Sequence, residues 1–250
     1  MEELVYKLKS IRLSGMTRQL DIRIQEAASH ELPYLDFLKN LVDDEIAIRK
    51  DRLLNRRFKQ ATFPYNKTIS EFDFSFNPSI NKQIIKKLAT TAFVAKHENI
   101  LFIGPPGVGK THLAVAFGME AIHKGFTVRY RSTFDIHADI QKYQDEFMPM
   151  YLKPQLLIID ELGMKNMTQN ANELLLEIIH RRYRKAATII ATNRPIEDWG
   201  KIFGDNATAS AILDRFLENV HFIKITGKSY RLKNINAKEQ KMIDSKTKNS

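Results

Sequence analysis

Along the first sixty positions apolar residues recur with a helical period. Leu4, Leu8 and Ile11 fall on one stripe; after a turn at "LSGM", Leu13, Met16, Leu20, Ile24 and Ala27 form a second. "SHELPYLDFLKNLVDDEIAIRKDRLLNRRFKQATFP" continues the pattern, with Pro33 near a helix start and Pro64 closing the segment. This predicts a small all-helical N-terminal domain over residues 1–65. Residues 66–80 lose the period and carry an Asn-Pro turn signal, which predicts a linker or edge packing before a helix from about Ser79.

From there the pattern changes. Short apolar runs stand at "NILFIG", "TVRYR", "QLLIID" and "ATIIATN", with a weaker fifth at "VHFIKIT" and helix-like segments between them. Continuous apolar strands separated by helices predict an α/β domain over residues 81–233, with a parallel five-stranded sheet covered by helices on both faces. The polar, lysine-rich residues 234–250 are expected to be disordered.

Composition narrows the setting. A chain of 250 residues, 43% hydrophobic, can bury a sizeable core. It has no cysteine, so a disulfide scaffold and cysteine-zinc sites are excluded. No apolar run reaches the length of a membrane span, and "MEELVYKLKS" lacks a signal-peptide core, so the expectation is a soluble, cytoplasmic protein with no membrane partner. The formal charge of +10 attracts polyanions. Its distribution says more: residues 1–48 carry six Lys/Arg against nine Asp/Glu, whereas 49–60 carry six against one.

The first run leads into Gly104-Pro105-Pro106-Gly107-Val108-Gly109-Lys110-Thr111, which fits G-x-x-x-x-G-K-[ST] and is followed by His112. Glycines there let backbone N–H groups curl round an anion, and the next helix aims its positive end at it. Lys110 would reach the β/γ-phosphates of ATP, and the Thr111 hydroxyl would ligate Mg²⁺. In "LLIIDEL", Asp160 ends a buried strand and is the second Mg²⁺ candidate, while Glu161 can polarise a water for attack on the γ-phosphorus. Asn193, at the tip of "IIATNRP", can orient that water or cap the turn before Pro195. Arg215 in "ASAILDRFLENV" can act in trans on a neighbouring subunit's nucleotide, or pair at the surface with Glu218. Arg231 in "GKSYRLK" can touch the γ-phosphate in cis or serve DNA.

With these residues in place the chain resembles the AAA+ ATPases, in the clade of DnaA-type replication initiators and DnaC-type helicase loaders. Within that clade it is similar to the IstB-type transposition helpers. The blocks that carry the resemblance are "IRLSGM", "FDFSFNPSINK", "ENILFIGPPGVGKTHLA", "LLIIDELG", "EDWGKIFGD", "AILDRFLENV" and "GKSYRLK", in order from about residue 10 to 233. The resemblance implies a P-loop NTPase that assembles with ATP as a homo-oligomer on double-stranded DNA, remodels the target duplex and recruits a transposase in the bacterial cytosol. It makes Lys110 and Thr111 Walker A, Asp160 and Glu161 Walker B, Asn193 sensor 1, Arg215 the arginine finger and Arg231 a sensor 2 candidate. A DnaC-like replicative helicase loader is the nearest alternative; a small-molecule kinase is disfavoured because no acceptor motif accompanies Glu161, Asn193 and Arg215.

For DNA the sequence offers Arg49, Arg52, Arg56 and Lys59, spaced three, four and three on one helical face, with Leu54, Phe58 and Ala61 opposite. Such a stripe can track phosphates, or it can be a solvated face balancing the acidic helices before it. No base-reading motif is visible, so duplex binding is expected to be largely independent of sequence.

Overall fold

The computed structural model describes residues 1–143, 146–164, 168–203 and 207–231. The expected disorder of residues 234–250 lies outside them. The chain divides into two compact units, Met1–Arg57 and Phe58–Ser250.

The first unit is helical, as the apolar stripes predict: α1 (Glu2–Ser10), α2 (Ser14–Ser29) and the start of α3 (Tyr34–Ala61). Pro33 stands immediately before α3, where its missing N–H costs nothing. The "LSGM" turn has a physical reason. A Cβ on Gly15 would sit 2.6 Å from the Cα of Glu45, so only glycine lets α2 approach α3 this closely. Glu45, which is buried, uses the approach: its Oε2 accepts from the Gly15 and Met16 N–H groups at 2.5 and 3.2 Å. A carboxylate there satisfies free donors of the first turn of α2 and meets its positive end.

The second unit is an α/β fold. Before the sheet come α4 (Lys82–Leu88), begun by Asn81, whose side chain accepts from the Gln83 and Ile84 N–H groups, and the short α5 (Ala92–Ala95). There follow β1 (Asn99–Ile103), α6 (Lys110–His123), β2 (Val128–Ser132), α7 (Thr133–Tyr143), α8 (Phe147–Leu152) and β3 (Leu156–Leu162). Then come α9 (Gln169–Arg182), β4 (Ala187–Thr192), a 3₁₀ turn at Ile196–Asp198, α10 (Trp199–Phe203), α11 (Ala207–Glu218) and β5 (Val220–Lys224). All five strands pair in parallel, in the order β2-β3-β4-β1-β5. The central strands β1 and β4 are buried at every position, while β5 at the edge is mostly not, which is why its apolar signal is weak.

One face of the sheet packs Leu101, Leu157, Ile159 and Ile190 against Leu175, Ile178 and Ile179 of α9, with Trp199 and Phe216 beyond. Trp199 is fully buried, a core residue and no stacking platform. On α6, eight of fourteen residues are buried, and a Cβ on Gly118 would meet Ile158 and Phe63 at 2.8 Å.

The strand order positions the chemistry. β4 lies between β1 and β3, with Thr192 level with both Ile103 and Leu162. A residue just past the tip of β4 therefore stands between the loop after β1 and the acidic end of β3.

Candidate functional site

The loop after β1 is shaped by its glycines. Gly107 and Gly109 have φ of +80° and +104°, where a side chain would be strained. They also leave room for neighbours: a Cβ on Gly107 would fall 2.0 Å from Ser229 Oγ, and one on Gly109 2.5 Å from the Phe72 ring. Lys110 opens α6, and its Nζ donates to the carbonyls of Gly104 and Pro105 at 2.7 and 2.8 Å. Burial pushes the Lys110 ammonium below the usual lysine range, with Asp160 pulling it back up. A polyphosphate is the chemical complement of such a group.

Thr111 Oγ1 donates to Asp160 Oδ2 at 2.6 Å, joining the ends of the two motifs. Asp160 is 2% exposed and accepts twice more, from the Tyr130 hydroxyl on Oδ2 and from the Glu161 N–H on Oδ1, both at 2.8 Å. Burial, with Asp160 behind it, pushes the Tyr130 phenol far up, so it remains a donor.

Glu161 sits at a bulge near the end of β3. Between Ile159 and Leu162 the pairing of β3 with β4 slips by one residue, and Glu161 takes a φ of +60°. The Thr133 hydroxyl and the Met164 N–H hold its carbonyl at 3.0 and 3.1 Å. A non-glycine residue there costs about 1–3 kcal/mol, a strain typical of functional positions. Burial first, and Asp160 second, push the Glu161 carboxyl up, while Arg231 pulls it down. A raised carboxyl is a better base for water.

Asn193 follows β4, and its Oδ1 is buried without a hydrogen-bond partner. Thr192 beside it is committed, donating to the Leu162 carbonyl at 2.7 Å and accepting from the Arg194 N–H. Arg231 is exposed and lines the same cavity as Lys110 and Thr111. Arg215 is exposed on α11, its Nη1 3.4 Å from His180 Nδ1, and is not part of that cavity. Glu218 instead takes Arg184 at 2.6 Å and the Tyr183 hydroxyl.

The cavity, about 390 Å³, is walled on one side by Gly107, Val108, Gly109, Lys110, Thr111 and His112. Its other walls come from residues to which the sequence reading gave no role in the site: Tyr65, Phe72 and Asn77 from the segment before α4, and Tyr230. Asn77 Nδ2 donates to the Val108 carbonyl at 2.7 Å. His112 Nε2 carries its proton to the Thr68 carbonyl at 2.7 Å, and its ring meets Phe72 edge-on. The Tyr230 N–H donates to the Gly107 carbonyl at 2.9 Å. Thus Phe72 and Asn77 of "FDFSFNPSI", and Ser229 and Tyr230, lie against the phosphate loop.

The donor set fits Mg²⁺ with ATP. No group of three or more His, Asp or Glu able to hold a metal occurs among the described residues, so an ion here depends on Thr111, Asp160 and phosphate oxygens. Mg²⁺ is bound in this way, by one or two protein oxygens with waters and substrate phosphates.

The basic stripe is less uniform than its spacing. Arg49 bonds Glu45 at 2.7 Å and Arg52 bonds Ser14 at 2.5 Å, both within the first unit. Arg56 and Lys59 are exposed.

Comparison with known proteins adds the family. Residues 6–238 match the model for the IstB-like ATP binding proteins. An insertion sequence IS21 protein of Pseudomonas aeruginosa, described as ATP-binding, is 37% identical over 238 residues, covering 93% of this chain and 90% of that one. An IS5376 protein of Geobacillus stearothermophilus, described likewise, is 36% identical over 239 residues, covering 94% and 95%. Among solved structures, DnaI has a TM-score of 0.54 at 19% identity, over 66% of this chain and 90% of that one. AMPPCP-bound DnaA from Aquifex aeolicus has a TM-score of 0.54 at 22% identity, over 72% and 56%. At these identities the two structures speak to the fold alone.

Proposed function

We propose a function for this chain from one premise: it belongs to the family of IstB-like ATP binding proteins. Membership in this AAA+ P-loop family implies ATPase activity. In the proposed role the chain assembles with ATP as a homo-oligomer on double-stranded DNA, remodels the target duplex, and recruits a partner transposase in the bacterial cytosol. The insertion-sequence origin of its relatives supports that setting.

The observation that carries the reading is the convergence of Lys110, Thr111, Asp160 and Glu161 at the mouths of two strands that are not sequence neighbours. Backbone N–H groups of the loop and Lys110 bind the phosphates. Thr111 and Asp160 hold Mg²⁺, which when bound neutralises charge on the transferring phosphoryl group. Glu161 takes the proton of the attacking water, and Asn193 orients that water with its free Oδ1. Arg231 reaches the γ-phosphate in cis, supported by its place in the cavity wall. Arg215, exposed and away from that cavity, completes a neighbour's site in trans. Duplex contact falls to Arg49, Arg52, Arg56 and Lys59, backed by the net charge of +10.

The test is capture of the full chain, with ATP and duplex DNA, on the transposase of its own element or on a replicative helicase. Retention by the transposase is expected. Retention by the helicase alone would overturn the reading in favour of a loader.

A further inference from the structure

We propose that Tyr130 is a positioning residue for the divalent metal, acting through Asp160; the proposal rests on the ATPase reading above. Thr111 has one hydroxyl hydrogen, and at 2.6 Å it goes to Asp160 Oδ2. With that hydrogen committed, only lone pairs of Thr111 Oγ1, which also meets the Tyr65 hydroxyl, could face a cation. The arrangement holds only while Asp160 keeps Oδ2 turned toward Thr111, and the terminal torsion of an aspartate is soft. Two donors remove the freedom: the Tyr130 hydroxyl on Oδ2 and the Glu161 N–H on Oδ1, both at 2.8 Å.

Tyr130 is itself firmly placed. It is 5% exposed on β2, in register with Ile158 of β3, two residues before Asp160. Its carbonyl accepts from Thr62 Oγ1 at 3.0 Å, and its ring meets Phe63 edge-on at 6.5 Å. The backbone of β2, the ring packing and the phenolic bond form a chain of fixed contacts ending on the carboxylate. Groups that orient metal ligands in this way are commonly worth a factor of about 10–100 in metal affinity.

Tyr130→Phe keeps the ring and removes only the donor. With Mn²⁺ as probe and a non-hydrolysable ATP analogue present, electron paramagnetic resonance should show Mn²⁺ affinity lowered about tenfold. Binding of the analogue without metal should match wild type. The Mg²⁺ concentration giving half-maximal hydrolysis should rise by a similar factor, with kcat recovered at saturating Mg²⁺. Unchanged Mn²⁺ affinity in the variant, beside a wild type that hydrolyses ATP normally, overturns the positioning role and leaves the ATPase reading intact. A parallel loss of metal-free nucleotide binding overturns it too, because it marks a merely structural tyrosine. Wild-type protein that neither binds Mn²⁺ with the analogue nor hydrolyses ATP overturns both.

Discussion

At the scale of single residues, the proposed hydrolysis turns on Glu161. Its backbone bulges within β3 at a one-residue slip and is held at a φ of +60° by Thr133 and Met164. The conformation belongs to the backbone, so Glu161→Gln should preserve it. Metal-dependent ATP binding should therefore stay within about twofold of wild type, while turnover falls by about 10²–10⁴, the usual contribution of a general base. Equilibrium binding of a fluorescent ATP analogue and steady-state phosphate release would check the two halves; a variant that loses both together would mean a structural role for the side chain. The phosphate-loop and acidic motifs were legible in the sequence because each is a contiguous run whose chemistry is set by nearest neighbours. Tyr130, Asn77 and Phe72 were not. Each meets the site from a separate strand or segment, and no local pattern encodes a contact such as that of Asn77 with Val108, 31 residues on.

At the scale of elements, the crossing of α2 and α3 depends on Gly15 and Glu45 together. Burial pushes the Glu45 carboxyl up, but the Arg49 guanidinium and the Gly15 and Met16 N–H groups outweigh it and hold it below the usual carboxylate range. A depressed folded-state pKa means the stabilisation is present above the unfolded value of 4.5 and is lost as pH falls through the folded value. Wild type should therefore lose stability on acidification below about pH 4.5. Glu45→Gln should cost about 1.5–3 kcal/mol at pH 7 and flatten that part of the pH dependence; urea titrations of the full chain at several pH values read both.

The apolar stripes made these helices legible, yet charge spacing on α3 overstated the uniformity of its basic face. Arg49 and Arg52 have partners in the first unit that a helical wheel does not show. If the stripe nevertheless serves DNA, replacing Arg52 and Arg56 by alanine should reduce the slope of log affinity against log salt by up to about 2. Fluorescence anisotropy with a labelled duplex measures it, and an unchanged slope would make the face a solvated one.

At the scale of the whole molecule, the strand order was not written in any one segment. Five apolar runs predicted a parallel sheet, but only pairing shows β4 inserted between β1 and β3, which sets Asn193, one residue past Thr192, at the strand tip between the ends of β1 and β3. The same scale explains Arg215. It lies exposed beside His180, and the proposed role across a subunit boundary needs that exposure. Mixing Arg215→Ala subunits with wild type should therefore lower turnover more steeply than the wild-type fraction, since each defective subunit silences a neighbour; a linear decline would confine Arg215 to its own chain. The proposal that the chain assembles on double-stranded DNA with ATP, and so couples its hydrolysis to duplex, is checked by steady-state ATP hydrolysis of the full chain titrated with duplex DNA. A rate that rises several-fold and saturates is expected. The same rate with and without duplex would contradict it.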